Sequence, residues 1–226
     1  MSDTRQGAVR FPFFATVAHV PIIVPPARVE RWVANFAERH GGATLTVTAG
    51  ALTGTAADGS KFSAVLPFDT EYDGEAAAAP FATAVVAAVP ADWGLLLVRK
   101  GGFAVARLAG QSFAESKVGQ RHVQGRTKAG GQSQQRFSRR RDNQARQAYE
   151  AAADHAARIL GAGSRPVVAG GDHGAVEEVL ADPRLRGLTV VEPWLPVPDP
   201  KRGILEQAAR DACAARFDVH NAGEGS

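Results

Sequence analysis

Across residues 133–160 the chain places Phe137, Ala145, Ala148, Ala152, Ala156 and Ile159 at helical spacings, and Gly161 and Gly163 close the run. A stripe of that length predicts one long helix that must bury a single face, ended by glycine. The residues before it follow a different rule. Residues 94–98 form a compact apolar run, Lys100-Gly101-Gly102 is a hairpin signal, and residues 103–108 and 112–118 continue as second and third strands. Between the last strand and the helix, residues 119–131 are polar and basic with no periodicity. Aperiodic connections of this length inside a compact domain tend to carry function. After the helix, residues 166–169 and 188–191 read as strands, Asp172 as the cap of a helix reaching Leu180, and residues 202–214 as a terminal amphipathic helix. A run of strands followed by strand–helix alternation predicts an α/β (α+β) fold, a mixed β-sheet flanked by helices.

The first 90 residues form a separate pattern. A strand is expected over residues 15–24, and a helix over 27–40 with Val29, Trp32, Val33 and Phe36 on its apolar side. Strands follow at 43–48, 51–56 and 62–67, then an Ala-rich helix at 81–89 before Pro90. This is a small α+β unit. Trp32, Val33 and Phe36 are expected in its core, and no chemistry is legible there. The division expected is residues 1–90, a second domain over 91–216, and a flexible tail over 217–226.

Charge narrows the function. The chain carries +3 overall, yet Lys117, Arg121, Arg126, Lys128, Arg136, Arg139, Arg140, Arg141 and Arg146 face only Asp142 within thirty residues. That stretch is +8 and the rest of the chain −5. A local field of this kind attracts phosphates. The plain alternative is a solvated helix face. The single cysteine, Cys213, excludes an internal disulfide framework and a cysteine-rich zinc site. The histidines, His122 of the basic stretch among them, have no metal-ligand spacing, so neither metal nor other cofactor is expected. The apolar stretch 11–26 is broken by four prolines, which argues against a membrane helix, and the lone cysteine fits a reducing cytoplasm.

Within the basic stretch lies Lys128-Ala129-Gly130-Gly131-Gln132-Ser133-Gln134-Gln135-Arg136-Phe137-Ser138-Arg139-Arg140-Arg141. It resembles the central motif of eukaryotic and archaeal class I peptide-chain release factors, where a Gly-Gly-Gln tip precedes Ser, two variable residues, Arg-Phe and an Arg-rich helix start. Strands before the loop, a long helix after it and Val167-Val168-Ala169-Gly170-Gly171 beyond extend the resemblance over residues 91–216, the middle domain of such factors, with the tip loop at 119–136. No stop-codon motif is recognisable in the first 90 residues. The chain is therefore more similar to the Vms-like release factors, including their compact actinobacterial group. That resemblance implies release of nascent chains from peptidyl-tRNA on stalled large ribosomal subunits, through contacts with 23S-type RNA, and a monomer is expected. Members of that branch also spell the tip Gly-x-x-Gln, which Gly131-Gln132-Ser133-Gln134 satisfies, so Gln134 stands as a second candidate beside Gln132.

The tip is chemically sensible on its own terms. Gly130 and Gly131 put no Cβ between backbone and an RNA wall. The amide of Gln132 does not titrate near neutral pH, so it positions water and is no general base, while its backbone N–H is placed to stabilise an oxyanion. Arg126, Lys128, Arg136, Arg139, Arg140 and Arg141 are the candidate phosphate contacts. Two other readings use the same docking: a nuclease of the tRNA acceptor end, disfavoured because only Asp142 supplies a nearby carboxylate, and a non-catalytic ribosome-binding factor. Gly170-Gly171-Asp172-His173-Gly174 is read as a turn with an Asp172 cap, since the Lys-Ser/Thr of a phosphate loop is missing. Trp194, set among prolines, is either a docking knob or a cover over the core.

Overall fold

The computed structural model describes residues 21–120, 132–161 and 163–223, together with their side chains except those of residues 120 and 132–145. Ten strands and five α-helices occur among them, arranged around two five-stranded sheets. The first sheet contains β1 (Ile22–Val24), β2 (Ala43–Thr48), β3 (Ala51–Ala56), β4 (Lys61–Val65) and β10 (Ala215–His220), in the order β1-β10-β4-β3-β2 with every pair antiparallel. Its inward face packs against α1 (Val29–Arg39) and α2 (Ala78–Ala87). Val29, Val33 and Phe36 are buried there and Trp32 is half-buried, its ring 4.2 Å from Phe217. These residues are core, as their spacing predicts.

The second sheet is mixed, in the order β7-β6-β5-β8-β9. Strands β5 (Trp93–Arg99), β6 (Gly102–Ala109) and β7 (Ser112–Gln120) form an antiparallel meander, with the turn expected at Lys100-Gly101-Gly102 shortened to Lys100-Gly101. Strands β8 (Arg165–Gly171) and β9 (Leu188–Leu195) add on parallel to β5. The long helix α3 (Gln132–Leu160) crosses from β7 back to β8, and α4 (His173–Leu180) follows β8. Both lie on one face against Leu96, Val98, Phe103 and Val105, while α5 (Arg202–Ala212) covers the other against Leu95, Leu97, Ala104 and Ala106. Because β5 is covered on both sides, it reads as an unbroken apolar run and not as an alternation. Each of its fully buried leucines contributes about 1.5–3 kcal/mol relative to an exposed one.

Three expectations change. Residues 217–226 were expected as a tail, but through His220 they belong to β10, the strand that pairs with β1 on one side and β4 on the other. The terminal helix stops at Ala212, two residues early, because Ala215, Phe217 and Val219 alternate with Arg216, Asp218 and His220 and turn buried side chains into the first core. The tip loop is also shorter than residues 119–136. Strand β7 runs to Gln120 and α3 begins at Gln132, since every residue after the glycine pair is an acceptable helix former. Of the strand expected at 15–24, only residues 21–24 lie within the described part, and Ile22–Val24 is strand.

The two sheets are joined at Glu192. Its carbonyl accepts from the Phe68 N–H at 3.1 Å, and its carboxylate from Arg216 of β10 at 2.6 Å and from the Trp194 N–H at 3.0 Å. Phe68 itself reaches under the second sheet to meet Trp93 edge-on, 5.0 Å between ring centres.

Candidate nucleic-acid interface

All strands of the second sheet except β6 point the same way, so β5, β7, β8 and β9 end on one edge. At that edge β7 delivers the basic stretch. The carboxyl edge of such strands is where open α/β sheets hold ligands, because loops there are free of the ladder.

Helix α3 extends this edge. Its lower end lies beside the start of the strands: a Cβ on Gly94 of β5 would stand 2.8 Å from Leu160. Higher up, Tyr149 feels the charge of Asp172, the residue just past β8; burial first, and then Asp172 and Glu178, raise its phenol above the ordinary range. The helix draws level with the sheet edge near His155, whose ring stacks on Phe103, the residue opposite Val98 and Gly119 at the strand ends. The described core residues of α3 run from Ala148 to Leu160. Gln132 is sixteen residues before Ala148, about 24 Å along the axis at 1.5 Å per residue.

Helical register sorts the candidate residues. Five turns correspond to about 18 residues, so positions that far apart share a face. Eighteen residues on from Gln132, Arg136 and Arg140 stand Glu150, Asp154 and Arg158, all exposed. Arg139 aligns with half-buried Ala157. Eighteen residues on from Gln134 and Arg141 stand Ala152 and Ile159, both buried. Gly130, Gly131, Arg126, Lys128 and His122 lie outside the described residues.

The foot of this extension is clamped. The Phe103 ring of β6 lies so close over Gly119 of β7 that a Cβ there would be 2.3 Å from the ring, and it stacks on His155 of α3 with centres 5.5 Å apart. Arg158 of α3 pairs with Glu115 of β7. The strand that leads into the basic stretch and the helix that leads out are therefore held to one another by side chains on both. Sequence reading missed Phe103, Gly119 and His155; a glycine inside a strand pattern was the available signal.

Beside the foot, Asp172 caps α4, its carboxylate accepting from the Ala175 N–H at 3.1 Å, as the sequence predicts. Trp194 is half-buried on the core and stacks with His173, ring centres 3.7 Å apart and 9° from parallel. No group of three or more His, Cys, Asp or Glu side chains suited to a metal occurs among the described residues. None of the described helices is long and apolar enough to cross a membrane.

Fold and charge together define a protein in which a mixed sheet and a long helix flank a basic, glycine-containing segment of the sequence. A family model of the Actinobacteria/chloroflexi VLRF1 release factor matches residues 91–218, more than half of the chain, and the chain belongs to that family. No curated protein matches it.

Proposed function

We propose that the protein is a codon-independent peptidyl-tRNA hydrolase, which frees nascent chains on stalled large ribosomal subunits with Gln132 at its reactive tip. The observation that carries this reading is the position of Gln132: the first residue of a helix whose opening turns run past the sheet edge, four and eight residues before Arg136 and Arg140. The first N–H groups of a helix lack an intrahelical acceptor and sit at the positive end of its dipole. An oxyanion developing on an ester carbonyl is stabilised there, as anions are at helix starts generally. The neutral amide of Gln132 orients the attacking water, and Gly130 and Gly131 let the backbone approach the ester closely. Arg126, Lys128, Arg136, Arg139, Arg140 and Arg141 hold phosphates of ribosomal RNA or of the tRNA. The helical period supports Gln132 over Gln134, since the residue five turns on from Gln132 is exposed Glu150 and that from Gln134 is buried Ala152.

The test is single-turnover release from large subunits carrying labelled peptidyl-tRNA. Wild type is expected to yield free peptide and intact tRNA. Gln132→Ala should be slower by about 100- to 1,000-fold, the usual loss for one oxyanion-hole donor or positioning group, and Gln134→Ala should remain within a few-fold of wild type. Shortened tRNA would identify a nuclease, and binding without either product a non-catalytic factor. Release by Gln132→Ala at the wild-type rate would remove the assignment.

A further inference from the structure

We propose that His173 and Trp194 form a platform on which an unpaired nucleobase of single-stranded RNA stacks; this extends the RNA-binding reading above to a second contact at the foot of α3. Trp194 is the foundation of the pair. Its indole packs on the core beneath α3 and α4, and its backbone N–H is tied to the Glu192 carboxylate at 3.0 Å. His173 is the exposed layer, lying on the indole within 9° of parallel at 3.7 Å. Its backbone is fixed as the first residue of α4, directly after the Asp172 cap. Among the described residues, no hydrogen bond engages the ring nitrogens of either side chain. A flat, rigid, exposed ring pair of this kind offers a face to any base whatever its identity.

Two further features point to an RNA occupant. Gly174, the next residue, has no positive φ, and a Cβ there would meet only the Asp172 carboxylate at 3.6 Å. The fold does not require glycine at this place, and alanine is the better helix former. A bare backbone beside the imidazole admits a planar partner. The pair also lies at the carboxyl edge of β8 and β9, the same edge to which β7 brings the +8 stretch, with exposed Lys100 in the β5–β6 turn. Of the nearby carboxylates, Asp172 is engaged by the α4 backbone and Glu192 by Arg216, while Glu177 stands one turn on from His173 and Asp199 beside Gly101.

The experiment compares binding of the whole protein to octa-adenylate and to an abasic ribose-phosphate octamer of equal charge, followed by labelled-oligomer anisotropy at low salt. His173→Ala should weaken octa-adenylate at least ~5-fold, the loss expected for one stacked base. It should leave the abasic octamer unchanged, and His173→Phe should restore the wild-type affinity. Equal binding of octa-adenylate by wild type and His173→Ala overturns the platform, as does failure of wild type to prefer octa-adenylate over the abasic octamer. Peptide release by Gln132→Ala is read in a separate assay, so the hydrolase proposal and the platform stand or fall apart from each other.

Discussion

Gly171 ends β8 at φ +102°, and a Cβ there would lie 2.2 Å from the Val98 carbonyl oxygen. The same carbonyl accepts from the Asp172 N–H at 2.9 Å, so the strand cannot move aside without losing the bond that starts α4. Gly171→Ala is expected to destabilise the protein by at least ~2 kcal/mol, from backbone strain and the forced separation of β5 and β8. A urea midpoint equal to that of wild type would refute this. In the sequence, this glycine pair resembles a phosphate cradle, and the missing Lys-Ser/Thr favours a turn with an Asp172 cap. The deciding atom belongs to Val98, far off in the chain, and no local pattern reveals it. Gly119 is similar: the Phe103 ring that forbids a side chain there comes from the neighbouring strand. Residues were legible where their reason is local, as for the Asp172 cap, and illegible where a distant neighbour supplies it.

Elements show the opposite balance. The stripe of α3 was readable because a helix of 29 residues repeats its period many times. Its start was read one residue late. A second contact steadies α3 in its C-terminal part. Arg184, in the short 3-10 turn Pro183–Leu185, pairs with Asp154 of α3 and with Asp182, both at 2.7 Å. Hydrogen bonds from the Arg184 side chain and backbone hold the Asp182 carboxyl down at about 2, against an ordinary value of 3.8. A depressed carboxylate stabilises the fold above its unfolded value and loses that contribution as pH falls through its folded one. In urea titrations, Asp182→Asn should therefore lie below wild type by a constant gap above about pH 4.5, and the gap should close toward pH 2. A gap that persists unchanged at pH 2 would mean that the charge is not responsible.

At the scale of the molecule, β10 ties the matched family region to the first sheet. The family match reaches residue 218, inside this strand. Phe217 is fully buried between Trp32, Phe62 and Phe81, and Arg216 beside it reaches Glu192 of β9. Phe217→Ala should cost about 3–5 kcal/mol, typical of a phenylalanine removed from a core. The amides of β1 and β4 should then exchange with deuterium faster, while those of β5 and β8 change less; uniform acceleration of both sheets would contradict this. The alternation Ala215-Arg216-Phe217-Asp218-Val219-His220 is a plain strand signal. It was overlooked because the preceding apolar helical pattern runs into it without a breaker. The consequence of this strand's position concerns manufacture. Synthesis passes β4 about 150 residues before it reaches β10, whereas all five strands of the second sheet exist once Leu195 is made. A copy still being elongated can complete the second sheet while the first waits, its β1 and β4 edges without the strand that separates them, and assembly proceeds from the middle of the polypeptide outward.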